Sequence, residues 1–595
     1  MLLGLVDWIC VAAFFVISLV IGLAVARQAG RSSAEYFAAG RQMPWWLLGV
    51  SMVATTFSTD TPNLVTDFVR NYGVSGNWQW WAFLLTGMLT VFVYAQLWKR
   101  SGVLTDIEFY ELRYSGREAA FLRGFRALYL GVLFNVVIMA SVTLAAIKIG
   151  AVLLKLTPLQ TIFLGCLVTV IYSSLGGLRG VLITDFFQFT LAMIGAIGAA
   201  VVAVRLPQVG GLAGILAQPA LADKLAIFPD FADPSLVFSI FLIPLAVQWW
   251  SVWYPGAEPG GGGYIAQRML AARDDQHAVG AVFLFNAAHY ALRPWPWIIV
   301  ALCSLIVFPD LESLRLAFPH AADKVGHDMA YSAMLTFLPP GLLGLVVASL
   351  IAAYMSTIST HLNWGASYIV HDFYRRFVRP RASERELVQA GRLATVLLML
   401  LAGFVALQMQ TAMGNFQIML QIGAGTGLLF VLRWFWWRIS AYSELAAMVI
   451  SFAVAVYFRF LHAHTGLPAV DGWVQVPVAV AITTAGWLLV TFLTPPTRHE
   501  TLVSFCRLVR AGGPGWNKVL EQARAAGEST EGLKTGWNVP QGILCMVLGC
   551  VAIYSALFAT GYWLYGRYGT AGWVTGTAIA ATVLLIRAWR RLLAR

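Results

Sequence analysis

Residues 45–70 read WWLLGVSMVATTFSTDTPNLVTDFVR, an apolar segment that is interrupted near its middle by the polar residues 58–62. A second apolar segment, residues 236–270, is interrupted by PGAEPGGGG at 255–263. Unpaired backbone is costly in lipid, so irregular chain at membrane depth survives only inside protein or beside a water-filled cavity. Two such interruptions in two halves of one chain indicate the binding site of a transporter. The alternative is that both are ordinary proline kinks, which membrane helices tolerate.

The composition indicates a polytopic membrane protein. Of the 595 residues, 59% are hydrophobic and 11% are charged, whereas an ordinary soluble domain has about 25% charged residues. The net charge of +12 lies in short loops between apolar segments, as in membrane proteins, so we expect no nucleic-acid partner. Most of the six cysteines lie in apolar segments and none forms a Cys-x-x-Cys pair. A disulfide framework or a zinc site is therefore not expected.

At about 20 apolar residues per span, the sequence predicts fifteen membrane spans. They lie near residues 5–27, 45–70, 78–98, 127–153, 158–177, 180–206, 236–270, 277–307, 336–370, 388–410, 415–437, 440–461, 474–494, 540–564 and 571–588. The first has no basic region before it and is expected to be a retained span rather than a signal peptide. Lys and Arg concentrate in cytoplasmic loops, which places the N-terminus outside and the C-terminus in the cytoplasm.

Spans two to six and seven to eleven form two five-helix units of opposite orientation. Each unit opens with an interrupted helix, which is the pattern of an inverted-repeat secondary transporter. The predicted organisation is an extra N-terminal helix (1–30), a first repeat (45–206), a second repeat (236–438), two additional spans (440–494), a cytoplasmic loop (495–537), and two last spans with a basic tail (540–595). No Walker A pattern occurs, so an ATP-driven pump is not expected.

Hydroxyl side chains share one face of the ninth span. Ala353, Ser356 and Thr357 stand at i, i+3 and i+4, hence on one side of a helix. Two hydroxyl oxygens beside a backbone carbonyl suit a monovalent cation, and an interrupted helix elsewhere could supply further carbonyls. The alternative is that these hydroxyls bond their own i−4 carbonyls or a neighbouring helix.

Arg293 is the one Lys or Arg that the sequence places near a bilayer centre. An ionisable residue there is expensive and indicates function, with a partner required. Asp60 and Glu258 are candidate partners, and His289 lies on the same helix face at i, i+4. Arg293 is therefore predicted to bind a hydroxyl or carboxylate of a solute, to form a structural ion pair, or to do both.

Aromatic residues crowd the same region. Flat rings beside polar groups suit stacking on a sugar, but Trp and Tyr also mark membrane interfaces. The residues concerned are Trp78, Trp80, Trp81, Trp249, Trp250, Trp253 and Tyr254.

Several motifs, in order over about residues 5–440, resemble the sodium:solute symporters related to sodium–glucose cotransporters. They are EYFAAGR at 35–41, GVSMVA at 49–54, GGLRGV at 176–181, Thr184-Asp185 with Gln188, YIAQR at 264–268, MST at 355–357 and DFYRR at 372–376. The resemblance implies a sodium site between the first and eighth core helices. Its ligands would be the carbonyl oxygens of Ala54, Phe57 and Ala353 and the hydroxyls of Ser356 and Thr357, with Asp185 near a cytoplasmic sodium exit.

The resemblance also implies that Tyr264 is an aromatic inner gate. Together with the residue arguments, the predicted solute-binding set is Asp60, Thr61, Glu258, Tyr264, His289 and Arg293. The family's sugar-binding members carry an acid–glutamine or similar polar pair after the first interruption, whereas this chain has Asp60-Thr61-Pro62 and a glycine run at 260–263.

The sequence thus predicts an all-α sodium-coupled symporter that imports a small polar solute, expected to be a sugar or sugar derivative, by alternating access. Its location would be a plasma membrane, specifically a bacterial inner membrane. Alternatives are a carboxylate or amino acid bound through Arg293, and a solute sensor that signals through residues 495–537. No pore-loop repeat indicates a channel, and no catalytic constellation indicates an enzyme. The sequence carries no signal for an oligomeric state.

Overall fold

A computed structural model describes residues 3–29, 32–247, 259–409, 421–531, 533 and 537–593. Over these ranges the chain is helical, with no strand beyond a single bridge between Met43 and Ala272. Within the same ranges, eleven helices are long and apolar enough to cross a membrane. The prediction of an all-α polytopic membrane protein is confirmed, while the count of fifteen spans and the inverted repeat remain predictions.

The principal helices are numbered here in chain order. They are α1 Leu5–Ala29, α2 Trp45–Thr56, α3 Asp60–Tyr72, α4 Val74–Ser101, α5 Gly116–Leu154, α6 Pro158–Arg205, α7 Pro234–Ala246, α8 Gly263–Ala271, α9 Asp275–Val307, α10 Leu342–Val378, α11 Glu384–Gln408, α12 Ala441–His464, α13 Gly472–Leu493, α14 Val539–Leu564 and α15 Tyr568–Leu593. Shorter helices in the connections include Ser33–Ala38, Phe109–Arg113, Gly211–Ala217, Leu311–Ala317, Ala330–Leu335, Gly427–Leu432, His499–Val509 and Asn517–Ala525.

The first predicted interruption separates α2 from α3. Phe57 leaves the helical conformation with φ −91° and ψ 79°, and the helix resumes at Asp60. Phe57, Ser58 and Thr59 are all buried. The irregular chain therefore lies inside the protein, where its backbone groups avoid lipid.

The second predicted interruption lies between α7 and α8. Residues 248–258, which include Glu258 and four of the aromatic candidates, lie outside the described ranges. Gly260 and Gly261 have φ of 88° and 92°, a region that favours glycine. The carbonyl of Gly260 accepts a 2.8 Å hydrogen bond from the indole of Trp98, and a Cβ on Gly260 would lie 3.1 Å from the Tyr94 ring. The glycine run is thus backbone packed against α4, not an open loop.

Helix α6 contains the predicted fifth and sixth spans, joined by a sharp bend. At the bend Gly177 has φ 53° and ψ −163°, and a Cβ there would come within 2.7 Å of the carbonyl oxygen of Tyr36. Glycine is therefore required by both the backbone conformation and the close approach of the Ser33–Ala38 helix.

The centre of the protein is the Leu342–Ser367 part of α10, whose residues are almost all buried. It packs against α6, α1, α2 and α11. Asp7 of α1 is buried and accepts hydrogen bonds from the backbone N–H groups of Gly341 (2.6 Å) and Gly344 (2.7 Å). The extra N-terminal helix thus supplies a cap to the first turn of α10, whose N–H groups lack intrahelical partners.

The predicted cytoplasmic loop at 495–537 is packed against the core in its described part. The guanidinium of Arg113 lies 5.0 Å from the Trp516 ring, and the Trp516 indole donates to the carbonyl of Trp434 at 3.1 Å. Phe505 is fully buried in the same cluster. This segment therefore braces the ends of the core helices, a role that its sequence did not indicate.

Candidate sodium and solute site

The last turn of α2 meets α10 at the residues predicted to bind sodium. Thr357 Oγ1 donates to the carbonyl of Thr55 at 2.7 Å and to that of Ala353 at 3.1 Å. The hydroxyls of Thr55 and Thr360 lie 3.0 Å apart. The interrupted helix and the hydroxyl face of α10 are therefore in direct contact, although Thr55 and Thr357 are 302 positions apart in the chain.

The carbonyl groups of this turn lie outside the regular hydrogen-bond pattern of a helix interior because α2 ends here. The last four carbonyls of a helix have no intrahelical partner, and α2 ends at Thr56. The N–H of Phe57 reaches the carbonyls of Val53 (2.9 Å) and Ala54 (3.0 Å). A second lone pair of the Ala54 oxygen is left over. The donor set of backbone carbonyls and Ser and Thr hydroxyls is the all-oxygen type that suits a hard cation.

Asp185 is the centre of a buried polar network beside these hydroxyls. Ser356 Oγ donates to one carboxylate oxygen at 2.6 Å, and the hydroxyl of Ser51 donates to the other. An Arg268 nitrogen lies 3.9 Å from the same carboxylate. Arg268 also donates to Thr360 Oγ1 at 2.7 Å. Four helices, α2, α6, α8 and α10, thus share one carboxylate.

Arg293 is one of several buried basic residues in the described part of the chain, and its position near the bilayer centre remains a prediction. Arg268 is fully buried on α8, every residue of which is buried, and Lys148 is buried beside Asp328 at 2.6 Å. The sequence placed Arg268 near the end of a span, where an arginine can reach water. Arg268 stands at i+4 from Tyr264, which puts both side chains on one helix face. That spacing was the signal in the sequence that could have indicated a buried position for Arg268.

Arg293 faces neutral partners among the described residues. Its guanidinium nitrogens lie 3.2 Å from Thr56 Oγ1, 3.1 Å from His289 Nε2 and 3.4 Å from the Val53 carbonyl. No carboxylate in the described part of the chain comes within 4.0 Å, so the predicted ion pair with Asp60 is not formed. Arg293 instead holds the last turn of α2 from the α9 side.

The other predicted solute residues flank this position. Asp60 opens α3, and Thr61 Oγ1 donates back across the interruption to the carbonyl of Thr56 at 3.1 Å. Tyr264 opens the buried face of α8, with its ring 5.7 Å from the ring of His361 on α10. The Arg268 guanidinium lies 5.8 Å from the Tyr264 ring. The candidate gate is therefore linked to the Asp185 network through Arg268.

Three of the aromatic candidates are described, and all three are buried. Trp80 stacks on Tyr290 with ring centres 5.7 Å apart and lies 5.4 Å from His289. The Trp78 indole donates to the carbonyl of Ile227 at 2.9 Å. Trp78, Trp80 and Trp81 are therefore packed inside the protein, and Trp80 lies beside the His289–Arg293 pair, while their depth relative to the membrane interface remains a prediction.

Polar residues that the sequence reading missed occupy α3. Asn63 and Thr66 stand on one helix face at i, i+3, and within the described ranges their side-chain polar atoms have no hydrogen-bond partner although they are buried. The same holds for Ser332 in the Ala330–Leu335 helix, which packs against α3. Buried polar groups are almost always hydrogen-bonded. This face of α3 therefore has free hydrogen-bonding capacity for a polar solute.

Comparison with known proteins gives the relationships of the chain. The family model described as "Sodium:solute symporter family" matches residues 36–451 of this chain. A sodium/glucose cotransporter of Vibrio parahaemolyticus is 25% identical over 476 residues, which are 77% of this chain and 86% of the relative. A sodium/mannose cotransporter of Bos taurus is 28% identical over 429 residues, which are 67% and 68% of the two chains.

A solved structure of a Na+-coupled sialic acid symporter, in a substrate-bound outward-open state, has the same fold. It matches with a TM-score of 0.67 at 19% identity and covers 83% of this chain and 99% of that one. The family match spans more than two thirds of the sequence, and sodium is the coupling ion of the family. The chain therefore belongs to the sodium:solute symporter family and is a sodium-coupled solute symporter of the membrane.

Proposed function

We propose that this symporter imports a sugar or a sugar derivative together with sodium, by alternating access. The observation that carries the proposal is the position of Arg293, His289 and Trp80 beside the last turn of α2. A planar donor group, an imidazole and an indole face form the mixture of hydrogen-bond donors and flat apolar surface that recognises a polyol ring. Relatives named for glucose, mannose and myo-inositol transport support this class of cargo.

The sodium ligands that we propose are the carbonyl oxygens of Ala54, Phe57 and Ala353 and the hydroxyls of Ser356 and Thr357. The contact between Thr357 and the last turn of α2 supports this set. A sodium ion there would replace the direct hydrogen bonds between α2 and α10 and hold the interruption in one geometry. That coupling would make the solute site dependent on sodium, which is the differential binding that a ligand needs to shift a conformational equilibrium.

We propose that sodium next binds at Asp185, on the cytoplasmic side of the Ser356 and Thr357 hydroxyls. Its carboxylate already gathers Ser356, Ser51 and Arg268. Sodium leaving the Ser356 hydroxyl would meet this carboxylate, while Arg268 competes with it for the negative charge. Tyr264, at van der Waals range of His361 and linked to Arg268, is proposed as the inner gate.

The solute contacts that we propose are Asp60, Thr61, Tyr264, His289 and Arg293. Glu258, also predicted, lies outside the described residues and remains a prediction. Asn63 and Thr66 are added because their buried polar atoms lack partners among the described residues. The two five-helix repeats at 45–206 and 236–438, with the N-terminus outside a bacterial inner membrane, are the framework proposed for the rocking motion.

A carboxylate-bearing solute is the second candidate, and one observation favours it. Arg293 is buried, and its hydrogen bonds in the described part of the chain are to neutral groups, while Asp60 attracts it from beyond contact distance. A buried charge that no carboxylate contacts directly is expensive, so an acidic solute would supply a contacting anion. A sugar acid satisfies both candidates at once.

The deciding experiment is solute uptake into proteoliposomes across a panel of neutral sugars, sugar acids and amino acids. Sodium, lithium or potassium is supplied outside in parallel. Accumulation driven by a sodium gradient supports transport, and the panel identifies the class of solute. Solute binding without accumulation of any panel member would instead favour a sensor, and uptake of amino acids alone would overturn the sugar proposal.

A further inference from the structure

A groove on the outer surface of the protein runs between α10 and α11. Its volume is about 570 Å3. We call it the α10–α11 groove and define it by Val132, Ile369, Tyr374, Leu393, Leu397 and Leu401. Its lining is predominantly apolar, and Leu393, Leu397 and Leu401 are 61%, 56% and 42% exposed. In a membrane protein, such a surface faces lipid rather than water.

The groove ends in a basic pocket. Arg379, Pro380 and Arg381 line a second cavity of about 260 Å3, and Glu386 borders both cavities, so the two are adjacent. Arg381 has no carboxylate within salt-bridge distance among the residues with described side chains. Arg379 lies 3.9 Å from Glu386, with 70% of its side chain exposed.

The acidic group at the junction is already engaged. Glu386 accepts a 2.7 Å hydrogen bond from the hydroxyl of Tyr374. Two further arginines are exposed nearby, Arg375 in the last turn of α10 and Arg385 in the first turn of α11. Four arginines, Arg375, Arg379, Arg381 and Arg385, stand against two acids, Glu384 and Glu386, so the mouth of the groove carries a net positive charge.

We propose that the α10–α11 groove holds one anionic phospholipid of the surrounding bilayer. An acyl chain would lie along Leu393, Leu397 and Leu401, and the phosphate would meet Arg379 and Arg381. From Glu386 to Leu401 the helix extends about 22 Å, which exceeds the ~15 Å depth of one leaflet. Basic pockets beside membrane helices recognise anionic headgroups in this manner, and the positive-inside rule places this end of α10 in the cytoplasm.

The site would act on the transporter through α10. The same helix carries Ser356 and Thr357, and its last turns line the groove through Ile369 and Tyr374. A lipid that contacts both α10 and α11 would oppose movement of the two helices away from each other. The inference thus goes beyond sodium and solute binding and stands whichever solute is carried.

The test is native mass spectrometry of the full-length protein after incubation with phosphatidylglycerol or phosphatidylcholine of equal chain length. The wild type is expected to retain one phosphatidylglycerol at least tenfold better than phosphatidylcholine. The double variant Arg379→Gln with Arg381→Gln is expected to lose that preference. The variant Leu397→Trp, which fills the groove, is expected to retain less of either lipid.

The matched control is Arg510→Asn with Arg524→Gln, which removes two exposed charges from the 495–537 segment, away from the groove. It should retain phosphatidylglycerol as the wild type does. Equal retention of both lipids by the wild type, or unchanged preference in the Arg379 and Arg381 variant, would overturn the proposal. Full displacement of the lipid by soluble glycerol phosphate would also overturn it, since that result identifies a free-anion site. Elution volume on size exclusion verifies that each variant is folded.

Discussion

Ser356 on α10 donates a 2.6 Å hydrogen bond to the carboxylate of Asp185 on α6. The two residues are 171 positions apart in sequence, and both belong to the predicted route of sodium through the protein. Ser356 is a predicted ligand, and Asp185 is also contacted by Ser51 and approached by Arg268. A change in sodium occupancy at Ser356 would therefore alter the hydrogen bonding of a carboxylate that three other helices share.

Removing both hydroxyls of the proposed sodium site is expected to weaken sodium coupling. In the variant Ser356→Ala with Thr357→Ala, the half-saturating sodium concentration for uptake should rise at least tenfold, which is about 1.4 kcal/mol. Two of the five proposed ligands are lost, while the backbone carbonyls remain. Uptake as a function of sodium concentration in proteoliposomes measures the effect.

The control is Thr190→Ala, because Thr190 lies on a membrane helix and donates only to its own i−4 carbonyl. Its sodium dependence should match that of the wild type. Unaltered sodium dependence in the Ser356 and Thr357 variant would remove the site assignment.

Breaking the Arg268–Asp185 pair is expected to destabilise the protein. Either Arg268→Gln or Asp185→Asn leaves one buried charge without its partner, a change that typically costs about 3–5 kcal/mol. The separation of 3.9 Å places the expected effect at the lower end of that range. Replacing both residues removes both charges and should recover part of the loss. Melting temperature in detergent measures all three variants.

Sodium-dependent uptake distinguishes the structural role of the Arg268–Asp185 pair from the proposed role of Asp185 in sodium binding. The double replacement should remain defective in sodium-dependent uptake although its stability recovers, because the Asp185 carboxylate is still missing. Arg376→Gln, which disrupts an exposed pair with Glu111, serves as the control and should alter neither property. Strictly additive losses of stability in the double variant would contradict the coupling.

Arg293→Gln is expected to reduce solute uptake at least tenfold. The substitution removes the fork of donors that contacts Thr56 and His289 and the charge that an acidic solute would need. Arg293→Lys keeps the charge but not the fork. If the solute carries a carboxylate, the lysine variant should retain more activity than the glutamine variant.

Uptake kinetics under saturating sodium measure both substitutions. Arg273→Gln, at an exposed position outside the helices, is the control and should transport normally. Wild-type kinetics in Arg293→Gln would exclude this residue from the solute site.

His327, in the connection between α9 and α10, predicts a pH dependence. Partial burial, followed by the neighbouring Arg70 guanidinium, lowers the pKa of His327 from its usual value, while Asp328 opposes this change and Lys224 reinforces it. Neutral His327 Nδ1 accepts a 3.2 Å hydrogen bond from Arg70. Because the folded pKa is lowered, the stabilisation is present above the ordinary pKa of about 6.5 and is lost as the pH falls through the lowered value.

The melting temperature should therefore decline on acidification, and His327→Gln should flatten that decline, since glutamine offers an oxygen acceptor that does not titrate. Measurements between about pH 5 and pH 8 make the comparison. His464→Gln, at an exposed histidine, should keep the wild-type profile. A His327→Gln profile that coincides with that of the wild type would assign the acid sensitivity to other groups.

Asp7→Ala is expected to lower stability by about 2 kcal/mol or more. The carboxylate caps two backbone N–H groups at the start of α10, and loss of a cap typically costs about 0.5–2 kcal/mol. Burial of the freed donors adds to that loss. Melting temperature is the measurement, with Ser18→Ala, a buried polar residue of the same helix, as the control. Equal melting temperatures for Asp7→Ala and the control would show that the cap contributes little.

Local chemistry in the sequence was enough to predict the helical membrane fold and the position of the first interruption. Residues 58–62 bring polar side chains and a proline into an apolar segment, and the backbone must leave the helix nearby whatever surrounds it. The helical period likewise placed Ser356 and Thr357 on one face with Ala353. These inferences concern neighbours in the chain, so no tertiary information was needed.

The partners of the charged residues were decided by tertiary structure. The sequence predicted Asp60 as a partner of Arg293. In the structure Arg293 instead contacts Thr56, His289 and a backbone carbonyl. The buried carboxylate of Asp185 lies beside Arg268. A charge inside a membrane protein must find compensation somewhere, but which group supplies it depends on how helices far apart in sequence pack. The sequence alone therefore determined that this is a membrane protein with an interrupted helix and a hydroxyl-bearing helix face, for which we propose cation binding. Only the packing of α2, α6, α8 and α10 decided which side chains share each charge.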